Sequence, residues 1–126
     1  MVHLGIGELK GDINKAFSEA ELGSDMYIQG DHVGARERFV NAMLFSDAAY
    51  HQATSIDTPD DFKTGHRLFL KGLEASKEAF DMTLDAIDLQ NPLLVSQARD
   101  KLKEAKLYFE EFNKAYAEYT GDEYFD

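Results

Sequence analysis

The sequence predicts an all-α protein: an antiparallel, up-down-up-down four-helix bundle built from two helical hairpins. Three observations predict it. Apolar residues recur at three- and four-residue steps through most of the chain, and no useful length alternates with the period of two that a half-buried strand requires. Only two prolines occur, and both stand where a helix would begin. At 126 residues the chain fits one domain, long enough to bury a core without a disulfide or a structural metal.

The first helix is expected over about 13–28, started by Asp12 after Gly11, with Ile13, Phe17, Ala20, Ser24 and Tyr27 on one face. The second, about 32–53, starts at Asp31 after Gly30 and carries Ala35, Phe39, Ala42, Ala49 and Ala53. Val40, Met43 and Leu44 widen that face. The third covers about 60–89, with Thr58 as N-cap and Pro59 as first helical position. Asp60 and Asp61 complement its positive end. Its stripe is Phe62, His66, Phe69, Leu73, Phe80, Leu84 and Ile87.

The fourth helix, about 93–119, repeats the capping device at Asn91-Pro92. It carries the clearest stripe of the chain, Val95, Ala98, Leu102, Ala105, Phe109, Phe112, Tyr116 and Tyr119, with no polar interruption. Gln90, Asn91 and Pro92 leave only a short turn between helices three and four, so these should pair as an antiparallel hairpin. Lys77, Asp81, Lys106, Glu110 and Lys114 read as solvated charge on the outer faces. An acidic, aromatic tail fills 120–126.

Residues 16–49 resemble a single tetratricopeptide repeat. Leu22-Gly23 stand at that family's Leu-Gly pair, Gly30 at its turn glycine, and Ala35, Phe39 and Ala42 at its second-helix positions. The family's Trp, Tyr and closing Pro positions hold Glu19, Met26 and Asp47, and no second unit comes after it. The resemblance implies a close hairpin, in which small residues let the helices approach and a Phe fills the gap between them. Tetratricopeptide proteins are interaction scaffolds built from several stacked units, so one unit does not carry that groove over.

Composition narrows the function. The net charge is −11 and is spread along the chain, with residues 1–59 at −5 and residues 60–126 at −6. Such a surface repels phosphate backbones and anionic lipid, and it favours a basic partner if it favours any. No apolar run approaches the roughly 18 residues of a membrane span. With no cysteine there is neither a disulfide framework nor a thiolate metal site, which fits a reducing cytoplasm. Met1 to Lys10 lack the basic-then-apolar pattern of a signal peptide.

No catalytic motif stands out, and no enzymatic activity is expected. There is no Glu-x-x-His, no His-Glu-x-x-His and no Gly-x-Ser-x-Gly, and Gly5-Ile6-Gly7 lacks the strand and third glycine of a nucleotide loop. HEPN-like nucleases are four-helix proteins of this size. Their Arg followed shortly by His is absent after Arg36, Arg38, Arg67 and Arg99.

An up-down-up-down bundle gathers Asp47, His51, Asp60, Asp61, His66, Tyr116 and Tyr119 at one pole. Asp47, His51 and His66 are the candidate metal ligands there. Alternatively, His66 is a core histidine bonded to a Tyr or a carbonyl, and His51 stabilises a helix C-terminus. In the tail, Tyr119, Tyr124 and Phe125 are candidate partner-binding residues, unless the tail folds back over the bundle end. The leading expectation is a non-enzymatic interaction or adaptor protein, binding another protein or a second copy of itself, with no cofactor. The alternative is a bundle that binds a metal or small molecule at the histidine pole.

Overall fold

The apolar periodicity places four helices: α1 (Lys10–Ile28), α2 (His32–Thr54), α3 (Lys63–Leu89) and α4 (Pro92–Thr120). The computed structural model describes residues 5–125, of which 86% are helical, with no strand among them. The helices form an antiparallel four-helix bundle in which α1 packs on α2, α2 on α3, and α3 on α4. No described helix is long and apolar enough to cross a membrane.

Two of the four expected starts hold in atomic detail. The Asp31 carboxylate accepts from Gly34 N–H at 2.9 Å, and the Asn91 side-chain oxygen accepts from Leu93 N–H at 3.0 Å ahead of Pro92. Each satisfies a backbone donor that the first helical turn leaves free.

The other two starts differ. Helix α1 begins at Lys10 instead of Asp12, after a 3-10 turn at Gly7–Leu9 and with no side-chain cap. The reason is apolar: Ile6 and Leu9 continue the stripe of Ile13 backwards, and all three are buried. Thr58 does not cap α3. It is buried, its hydroxyl has no partner, and Pro59 is extended (ψ 144°) ahead of a 3-10 turn at Asp60–Phe62. The Phe62 ring is thereby driven into the core before the α-helix starts at Lys63.

Close helix approach depends on glycines facing phenylalanines. A Cβ at Gly23 of α1 would lie 2.9 Å from the Phe39 ring of α2. At Gly72 of α3 it would lie 2.8 Å from the Phe109 ring of α4. A mid-helix glycine costs about 0.5–1 kcal/mol relative to alanine, and here that cost is offset by seating a ring against backbone.

The core divides into two clusters. One joins Ile6, Leu9, Ile13, Phe62, Phe69, Phe112 and Tyr124, with Ala49 and Ala53 closing it from α2. The other joins Ala16, Ala20, Ala35, Phe39 and Ala42 to Phe80, Leu84 and Ile87. The first is dense with rings: Phe69 and Phe112 have centroids 4.7 Å apart, and Tyr124 stands edge-on to Phe112 at 5.1 Å. In the second, several stripe residues are only half-buried, Tyr27 and Leu102 among them, and Ser24 is exposed.

Candidate functional site

The histidine pole is only partly assembled. Asp47 and His51 are one turn apart on α2, and their side chains lie 3.4 Å from each other. Asp47 is held more closely by Lys77 of α3, at 2.6 Å, which keeps its carboxyl below the usual range. The same Lys77 ammonium lies over the Tyr50 ring at 4.8 Å. That pairing across helices is absent from any reading of one helix face.

His66 is not with them. It is buried, stacked near Phe69, and its Nε2 lies 3.0 Å from the Ala53 carbonyl. Nε2 therefore carries the proton and donates, leaving Nδ1 as an acceptor with no partner. Burial pushes the imidazole pKa below its ordinary value, the Ala53 carbonyl works against that, and the nearby Lys63 charge reinforces it. At the rim, the Tyr119 hydroxyl donates to Asp61 at 2.9 Å, and this bond raises the phenol pKa. Among the described residues, no three His, Asp or Glu side chains converge where a metal could sit.

The tail takes the folded-back arrangement. Gly121 turns the chain with φ 87°, and Asn113 of α4 then clasps the segment beyond the turn. Its side-chain oxygen accepts from Tyr124 N–H at 2.8 Å and Phe125 N–H at 2.9 Å, and its amide donates to Phe125 carbonyl at 3.2 Å. Tyr124 is 3% exposed and donates its hydroxyl to the Ile6 carbonyl at 2.6 Å. Burial raises its phenol pKa well above the usual value. Phe125 packs against Phe109 at 5.4 Å, while Tyr119 stays half-exposed over Phe62. Two of the three tail candidates thus lie on this protein's own core.

A broad concavity lies elsewhere, between α1 and α4 toward the opposite pole. It has a volume of about 700 Å³. Phe17, Ser24 and Tyr27 form one wall, and Val95, Ala98 and Leu102 the other. Phe80, Thr83 and Ile87 of α3 form the floor. Ala20, Ser24 and Ala98 on the facing stripes are small, and no further segment of the described chain lies between the two helices.

Charge edges this groove in two ridges. Glu21 and Asp25 line the α1 side, and Arg99 and Lys106 the α4 side. All four are exposed, and none is in an ion pair among the described residues. No ion pair joins one ridge to the other among the described residues. At the groove's end, the two hairpin turns present Ile28, Val33, Leu89 and Leu93, each between 63% and 83% exposed. Four large aliphatic side chains so exposed at one pole are more than the scattered apolar residues a surface normally carries. The Arg36–Asp88 pair, bidentate at 2.8 and 3.2 Å, ties the two turns together there.

Comparison of the chain with protein-family models, with curated proteins and with solved structures finds no match. The groove was not foreseen from the sequence, and its one local signal was Ser24, a polar residue within an apolar stripe.

Proposed function

We propose that this chain is a non-enzymatic interaction module that takes a partner protein in the groove between α1 and α4. The carrying observation is the groove itself: open along one side, apolar within, and continuous with the exposed aliphatic pole. Exposed apolar surface of this kind marks interaction sites on folded proteins. Among the described residues the charged ridges beside it have no ion-pair partners, which supports the same reading.

A photo-crosslinking residue placed at Ser24 or at Leu102 tests this in native lysate, with the exposed Glu37 of α2 as control position. Adducts with one discrete protein at the two groove positions, and none at position 37, are expected. Equal labelling at all three positions, or none at any, would remove the proposal. A second reading rests on size, because about 700 Å³ also falls within the range of small-molecule sites. Groove adducts with a small molecule in place of a protein would establish that reading instead.

A further inference from the structure

We propose, resting on the groove being a docking site, that its occupant is an amphipathic α-helix of about three turns with oppositely charged flanks. Its basic flank lies beside α1 and its acidic flank beside α4.

Length and shape come first. The lining spans residues 17–28 of α1 and 95–106 of α4, each about 16 Å at the helical rise. That accommodates about three turns of a further helix, read through anchors at i, i+4 and i+7 or i+8. Ala20, Ser24 and Ala98 are small enough to admit a helix at ordinary packing distance. An extended segment would leave its backbone donors and acceptors unpaired against apolar walls, whereas a helix satisfies them internally. A second copy offering the same groove would set concave against concave and enclose a hollow. The occupant must be convex.

Charge then fixes its chemistry. Glu21 lies about two turns before the end of α1, and Arg99 about two turns after the start of α4. In an antiparallel pair these two therefore stand at one height on opposite sides of the groove. Asp25 and Lys106 extend the ridges toward and away from the pole respectively. A helix lying between them meets anions on one flank and cations on the other. It satisfies both ridges in only one of its two directions, so the ridges also select orientation.

The test uses three fluorescein-labelled helical peptides sharing one leucine stripe. One carries Lys on one flank and Glu on the other, one carries Lys on both, and one carries Glu on both. Fluorescence anisotropy with the full chain should give tightest binding to the mixed peptide, by about five- to tenfold over either other. Arg99→Glu with Lys106→Glu should move the preference to the all-Lys peptide. Glu21→Lys with Asp25→Lys should move it to the all-Glu peptide. All four positions are exposed, and circular dichroism checks that each variant stays folded.

Equal binding of all three peptides, strongest binding of the all-Lys peptide to the unaltered chain, or no binding at all overturns the proposal. So does a dimer of the chain alone that Leu102→Glu dissociates, since the occupant would then be a second copy. If the protein adducts at Ser24 and Leu102 form while the mixed peptide fails, the groove remains a docking site for a different occupant. Failure of both removes the site as well.

Discussion

At one end of the bundle the space between α1 and α4 is filled by the chain itself, and at the other it is left open. The closed end receives Ile6 and Leu9 from before α1, Phe62 from before α3, and Tyr124 and Phe125 from after α4. The open end receives nothing comparable, and its facing residues are smaller. Both ends are drawn by the same periodicity along α4, yet Phe109 and Phe112 are buried while Val95 and Leu102 are half-exposed. An apolar stripe thus specifies which face turns inward, and additional segments decide whether anything meets it there.

The sharpest way to break this contrast is to truncate α4 at both ends. Phe112→Ala removes a fully buried ring and should cost about 3–5 kcal/mol, a large share of a domain's stability. Leu102→Ala in the groove wall should cost less, about 1–2 kcal/mol, because part of that side chain stays in water. Urea unfolding of the two variants measures both. Equal losses would mean that the groove is closed in solution.

Next in size is Gly72→Ala. Alanine is the better helix former, but its methyl would meet the Phe109 ring, so a loss of about 1–3 kcal/mol is expected. Gly11→Ala, with nothing within 4 Å, should instead be neutral or gain up to about 1 kcal/mol. Opposite signs for one substitution at two helical glycines would separate close packing from helix propensity. Tyr124→Phe should come after these, at about 0.5–1.5 kcal/mol, because it removes one buried hydrogen bond while the Ile6 carbonyl keeps the longer one from Leu9 N–H. Its effect should be confined to the closed end and seen as faster amide exchange around Ile6.

The smallest effect is the pH dependence from His66. Its folded pKa is depressed, so the unfolded chain binds a proton at a pH where the folded chain does not. The contribution is therefore complete above about pH 6.5 and declines as pH falls from there to the folded value. Asp47 and Asp88, also held low, by Lys77 and Arg36, contribute in the same direction. Their contributions persist until the lower range where carboxylates protonate. His66→Phe should flatten the unfolding midpoint between pH 7 and 5, and an unchanged slope would mean that His66 titrates normally.

Much of the fold was legible because helix signals are local. Stripe spacing, Asp31 and Asn91-Pro92 all act within one or two turns. The features that were not legible depend on residues far apart. Thr58 fits the pattern of a cap, but the burial of Phe62 dictates a 3-10 turn at that point. Asp47 and His51 were placed together by helical spacing, while the binding of Asp47 to Lys77 required knowing how α2 meets α3. Asn113 holds the tail with three hydrogen bonds, yet in sequence it is an ordinary polar residue beside Phe112.

The bond from Tyr124 to Ile6 spans 118 residues, and this sets an order of events during synthesis. The α1–α2 and α3–α4 hairpins use local contacts and can form soon after their second helices leave the ribosome. The closed end must wait for Tyr124 to emerge. Until then Ile6, Leu9 and Phe112 lack their cover, and the nascent chain displays apolar surface at both poles instead of one. Emergence of Tyr124 is therefore the step that covers the closed end.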